Sequence, residues 1–130
     1  MLFIDWIAID CDDAPGLARF WAEALGYTVL DDDDPDEVMI VPPAPTAGPR
    51  FLFLKVPEGK VVKNRIHLDL RSDDQEAEVE RLISMGAAPA DVGQTEVTWV
   101  VLADPEGNEF CILRDLSDAD RAEREAEGIL

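Results

Sequence analysis

Apolar and polar residues alternate over 3–11, with Ile7 and Ile9 on one parity, which is the period of a strand. The period then lengthens. Leu17, Phe20, Trp21, Ala24 and Leu25 recur at i, i+3, i+4, i+7 and i+8, one apolar face of a helix. Asp13 precedes it as an N-cap, Pro15 sits in the first turn where its missing N–H costs nothing, and Gly26 stands where a left-handed cap belongs. Short strands are predicted over 27–30, 38–41 and 51–56. The acidic run 31–34 with Pro35 separates the first two, and a Pro-rich loop over 42–49 separates the last two.

After a basic connection the rhythm starts again. Residues 65–70 alternate as a strand, Ser72 and Gln75 have the spacing of a capping box, and Val79, Leu82 and Ile83 give a helical face ended by Gly86. Strands over 95–103 and 109–114 flank the tight turn Asp104-Pro105-Glu106-Gly107, and a segment near 90–92 supplies the remaining strand. From Ser117 onward the interspersed Arg and Glu predict an exposed helix. Trp6 precedes Asp13 by seven residues and His67 precedes Asp74 by seven; Trp6 precedes Gly26 by twenty and His67 precedes Gly86 by nineteen. These spacings indicate an internal repeat of strand–helix–strand–strand–strand. One copy alone cannot bury both faces of its sheet, so the two are expected to pair in one domain over 1–130. Its parts are module 1 (about 1–56), a linker (about 57–64), module 2 (about 65–114) and a C-terminal helix (about 117–128).

At 130 residues, 47% hydrophobic and 31% charged, the chain has globular composition. Acids outnumber bases 29 to 11, a net charge of −18, which argues against nucleic acid and anionic membranes as partners. Apolar runs are too short to span a bilayer, and the start Met-Leu-Phe-Ile-Asp-Trp lacks a basic n-region. Cys11 and Cys111 form no Cys-x-x-Cys, which fits a reducing compartment; the expected location is cytoplasmic. Charge is unevenly distributed. Residues 1–37 carry eleven acids and one base, whereas 50–71 carry six bases and two acids, so the middle segment either pairs with acidic neighbours or forms an electrostatic lip. The run Asp31–Asp34 lacks the spaced ligands of a calcium loop and is expected to be a solvated turn.

Asp13 followed by Phe20-Trp21 and Leu25-Gly26-Tyr27, with Asp104-Pro105-Glu106-Gly107-Asn108 before the last strand, resembles the vicinal oxygen chelate superfamily of glyoxalases, bleomycin-resistance proteins and extradiol dioxygenases. Arg65-Ile66-His67-Leu68-Asp69-Leu70, Met85-Gly86-Ala87 and Glu109-Phe110-Cys111 bring it nearer to the compact actinobacterial glyoxalase-like branch. The resemblance implies an α+β fold in which two βαβββ modules form a curled mixed sheet, a cup, with helices outside. On strand parity Ile7, Ile9, Ile66, Leu68, Leu70, Phe110 and Ile112 face the helices. Trp6, Ala8, Asp10, His67, Asp69, Arg71, Glu109, Cys111 and Leu113 face the cup.

Metal-dependent relatives hold a divalent ion with one residue from each of four strands. Carried onto this chain, those positions are Trp6, His67, Cys111 and either Leu52 or Leu54. Neither Trp nor Leu ligates, so no metal and no cofactor is expected; His67 and Cys111, even with Glu109 or Asp69, would need unexpected geometry to hold zinc. Cys111 reads as a small buried filler or a reactive thiol, and His67 as a ligand contact or a hydrogen-bonded core residue. Trp6 lines the cup or fills it.

Among antibiotic-sequestering relatives the resemblance implies a small-molecule binder, with Trp6, Asp10, Leu52, Leu54, His67, Asp69, Arg71, Glu109 and Cys111 around a planar or aromatic ligand. The acidic surface favours a cation. The alternative is a lyase, isomerase or dehydratase using His67 as general acid–base. A third reading is a domain working through a homodimer, the edge strand being the contact.

Overall fold

The computed structural model describes residues 1–30 and 33–129; of the acidic run, Asp31 and Asp32 lie outside the described residues. Strand β1 (Ile7–Cys11) leads into helix α1 (Ala14–Leu25), followed by β2 (Thr28–Leu30), β3 (Glu37–Val41) and β4 (Phe51–Lys55). The second module repeats this with β5 (Asp69–Arg71), α2 (Gln75–Ser84), β6 (Ala88–Pro89), β7 (Val100–Ala103) and β8 (Glu109–Leu113), and α3 (Asp118–Ala126) follows. Each module forms a four-stranded sheet, in the orders β1-β4-β3-β2 and β5-β8-β7-β6. In both, the first strand runs parallel to the last and the other pairs are antiparallel. The fold is α+β, built of two βαβββ modules.

Local chemistry explains the helix ends. The Asp13 carboxylate accepts the Gly16 N–H at 3.1 Å, satisfying one of the donors a helix start leaves unpaired. Gly26 closes α1 at φ 69°, a conformation a side chain would oppose. Ser117 and Asp120 form a reciprocal capping box at α3. In α2 the cap is not Ser72. Asp74 accepts the Ala77 N–H at 3.1 Å, while Ser72 Oγ accepts from Asp74 N. Gln75, the other half of the expected box, instead donates its amide to the carbonyls of Thr98 (3.0 Å) and Ile112 (2.8 Å).

That side chain also accounts for a shortened strand. The pattern predicts a strand over 95–103, but only Val100–Ala103 joins the ladder, and Gln75 takes the Thr98 carbonyl. The strand predicted over 65–70 narrows to Asp69–Arg71. Its approach is tethered by Asn64, whose backbone N–H reaches Glu109 and whose side-chain amide reaches Asn108, both at 3.0 Å. Ile66 therefore lies ahead of the sheet and is 85% exposed rather than packed on a helix. Residues 3–6 likewise precede β1, and the remaining strand is Ala88–Pro89 rather than 90–92.

One core joins the modules. Ile40, Phe51, Phe53, Leu17 and Ala18 from module 1 cluster with Leu82, Leu102, Phe110 and Ile112 from module 2. Phe20, Trp21 and Phe110 meet edge to face, with Trp21 and Phe110 centroids 4.8 Å apart. Trp21 Nε1 donates to buried Asp104 at 3.0 Å, and Glu106 accepts the backbone N–H groups of Asp12 and Asp13. Among the described residues no buried side-chain polar atom lacks a partner. No helix among them is long and apolar enough to cross a membrane.

Candidate functional site

Between the modules, β1, the linker and the start of β8 enclose a cleft of about 620 Å³. Ile7, Ala8 and Asp10 contribute from β1, and His67 and Glu109 from module 2. Trp21 reaches it from the core. Carboxylates dominate its ionisable lining, but most are engaged. Glu106 holds backbone N–H groups, Asp104 holds Trp21 and Asn108, and Asp12 lies 3.5 Å from Lys55. The Asp10 side chain stands exposed on β1, its carboxylate making no hydrogen bond or ion pair among the described residues.

Glu109 is pinned. Its side chain is only 13% exposed, Lys60 Nζ lies 2.7 Å from Oε1, and Asn64 N donates to Oε2 at 3.0 Å. Burial alone would raise its pKa, but the Lys60 ammonium and the Asn64 N–H outweigh it and hold the carboxyl below its ordinary range. Lys60 and Asn64 belong to the linker, where no periodicity points to a site. The signal available in sequence is the charge reversal over 50–71, and three of its six bases pair with acids: Arg50 with Asp5, Lys55 with Asp12 and Lys60 with Glu109.

The parallel β5–β8 register sets Asp69 opposite Cys111. His67 shares the parity of Asp69, and its Nδ1 lies 2.9 Å from Asp69 Oδ1. Donor atoms of His67, Asp69 and Cys111 all fall within 4.8 Å of one another. The Cys111 thiol is raised above its usual pKa by burial, then by the charge and hydrogen bond of Asp69, with Lys63 opposing weakly. Cys11 is pushed up to about 11 by burial and by Glu106, Asp13, Asp10 and Asp104. Burial and the surrounding carboxylates thus hold both thiols toward the protonated form, and at Cys111 Lys63 does not offset them.

The other expected site residues lie apart. The Trp6 ring is covered by the Arg50 guanidinium, 3.8 Å from its centroid, and is not among the residues lining the cleft. Leu52 and Leu54 are half-buried on β4, in register with Ala8 and Asp10 but outside the cleft lining. Arg71 donates to the Arg114 carbonyl at 2.6 Å and lines a second cleft of about 640 Å³ with Trp99 and Leu113.

An ion held by both modules, as the resemblance implies for metal-dependent relatives, does not fit these residues. Trp6, Leu52 and Leu54 offer no lone pair, and the Arg50 cation occupies the face of Trp6. Whatever donors remain belong to module 2.

The profile of the glyoxalase-like domain family matches residues 6–113. No curated protein matches the chain. Solved structures share the fold. A glyoxalase/bleomycin resistance protein/dioxygenase family enzyme from Burkholderia phytofirmans superposes with a TM-score of 0.67 at 20% identity, covering 88% of this chain and 100% of that one. The antibiotic binding protein TnmS3 from Streptomyces sp. CB03234 gives 0.57 at 21% identity, covering 89% and 98%. Protein ATC0852 from Agrobacterium tumefaciens gives 0.68 at 16% identity, covering 90% and 100%. With the matching profile spanning both βαβββ modules, the chain belongs to the glyoxalase-like domain family.

Proposed function

We propose that the chain binds a planar or aromatic, cationic small molecule in the cleft between its modules and acts as a sequestering protein. The observation that carries this reading is the cleft itself. It is a concavity of about 620 Å³ with Ile7, Ala8 and Trp21 for apolar contact and an unpaired carboxylate, Asp10, on its wall. A net charge of −18 adds long-range attraction for a cation. TnmS3, a structural neighbour described as an antibiotic binding protein, supports a binding role on this scaffold. The ligand contacts proposed are Ala8, Asp10, Trp21 and His67; Trp6, Leu52, Leu54 and Arg71 fall outside the proposed contact set.

The test is Trp21 emission in a Trp6→Phe, Trp99→Phe background during titration with planar cationic aromatic dyes and natural-product antibiotics. Saturable quenching is expected. Asp10→Asn should weaken it by about fivefold at low salt, in line with one exposed charge pair, and Ala8→Phe, bulky but without an indole, should block it. Quenching that is unsaturable, or equal in all three proteins, would overturn the reading.

A second reading, acid–base catalysis, is favoured by one contact. Asp69 orients the His67 imidazole at 2.9 Å in the way a carboxylate positions a general base. His67→Ala separates the two readings: lost turnover with retained binding supports the enzyme, weakened binding supports the binder, and unchanged function removes His67 from both.

A further inference from the structure

We propose that the Lys60 ammonium stands in for the ligand's cation: an incoming cation takes its place on Glu109 and so frees the linker that walls the cleft. The inference rests on the cleft reading above and deepens it, naming the group that receives the ligand's charge and the group that must leave. Asp104 and Glu109 both line the cleft with little exposure, and they are held differently. Asp104 is satisfied by neutral N–H groups of Trp21, Glu106 and Asn108. Glu109, its side chain 13% exposed, has a cation for a partner. A carboxylate shielded from water attracts a cation more strongly than exposed Asp10 can, and leaving it without one is costly. The charge that a cationic ligand most needs is therefore already taken, by a residue of the same chain.

Geometry makes the exchange local. Lys60 Nζ sits on Glu109 Oε1 at 2.7 Å, while Oε2 accepts the Asn64 backbone N–H at 3.0 Å. The Asn64 side-chain amide is tied separately to Asn108. Departure of Lys60 therefore leaves the carboxylate aimed. Glu58, Gly59, Lys60, Val61 and Val62 form the linker wall of the cleft. That wall is fastened at its two ends, by Val56 N on the Cys11 carbonyl at 2.9 Å and by Asn64. Between them, among the described residues, the Lys60 ammonium makes the only hydrogen bond from 57–62 to either module. Val61 and Val62 are 93% and 75% exposed, so little packing holds the wall once that bond is gone. The exchange conserves charge. One ammonium goes out to water, where its stem can follow it, and one cation comes in.

The experiment is an amide-shift titration of the full chain with naphthamidinium, which is planar, aromatic and cationic, and with uncharged naphthamide as its match in shape. Lys60→Met keeps the apolar stem and should bind the cation at least about fivefold more tightly than wild type, while binding naphthamide within about twofold. Glu109→Gln should weaken the cation by about tenfold. Lys63→Met removes a linker charge outside the cleft lining and should change affinity by less than about twofold. Wild type supplies a readout that needs no variant. The chain has three lysines, so the Lys60 Nζ resonance can be followed beside those of Lys55 and Lys63. It should move to the position of a solvated lysine as the cation saturates, and stay in place with naphthamide. Far-UV circular dichroism and thermal melting of each variant establish that it is folded. Saturation of wild type with the Lys60 resonance unmoved, or Lys60→Met binding no more tightly than Lys63→Met, would overturn the exchange and leave the cleft reading standing. A cation that binds neither wild type nor Lys60→Met would overturn both.

Discussion

Helix α1 buries Ala14, Leu17, Ala18, Phe20, Trp21 and Ala22, whereas α2, at the equivalent place in the second module, buries Leu82 alone. The sheets differ in the opposite sense. On the cup-side parity of the paired parallel strands, module 1 presents Ala8, Leu52 and Leu54, with Asp10 its only ionisable group there. Module 2 presents Asp69 and Cys111 with His67 beside them. One topology, repeated, has been filled for different tasks: the first copy supplies most of the helix-side apolar packing and the second most of the reactive side chains. Such a division lets one half vary its chemistry while the other maintains the fold.

Truncation in the first module's core should have the largest effect. Phe53 is fully buried, so Phe53→Ala is expected to cost about 3–5 kcal/mol in urea denaturation. Ile83→Ala, on the exposed side of α2, should cost less than about 1 kcal/mol. Equal losses would erase the asymmetry. Next comes the seam. Asp104→Ala removes the acceptor of Trp21 Nε1 and of the Glu106 and Asn108 N–H groups, leaving buried donors unpaired at a cost of about 3 kcal/mol. A change below about 1 kcal/mol in the same assay would show that the Asp104 hydrogen bonds add little to the seam.

The linker latch gives a smaller, pH-dependent effect. Glu109 has a lowered folded-state pKa, so its contribution is complete above its ordinary value of 4.5 and fades as pH falls through the lowered one. Lys60→Met should therefore be less stable than wild type by about 1–2 kcal/mol at pH 7, with the gap narrowing in acid. A gap that persists at low pH would assign it to lost packing of the lysine stem. Smallest is thiol chemistry. With both thiols buried and raised in pKa, alkylation at pH 8 should be slow for each until the protein is denatured. Rapid labelling of Cys111 in native protein would restore it as a nucleophile.

Module 1 was the more legible half because its signals are local. The Asp13 cap, the i, i+3, i+4 face from Leu17 to Leu25 and the Gly26 stop are all read within one helix. Module 2 depends on contacts distant in sequence. Ser72 and Gln75 have capping-box spacing, yet Gln75 is drawn to carbonyls 23 and 37 residues away, and Asp74 takes the cap. Asn64 shortens β5 by bonding 45 residues ahead. The same limit holds for the site. Parity put His67, Asp69 and Cys111 on one side, but only the β5–β8 register brings their donors together. Trp6 has the right parity for the cup, and nothing in the pattern marks Arg50 as the cation that covers its ring.

The binding claim is tested most directly by backbone amide chemical-shift mapping during titration with a planar cationic aromatic probe. Saturable shifts confined to Ile7, Ala8, Asp10, Asn64, His67 and Glu109 are predicted, since these residues line the inter-module cleft. Shifts centred on Arg71, Trp99 and Leu113, around the second cleft, would contradict it, as would a probe that moves no resonance at saturating concentration.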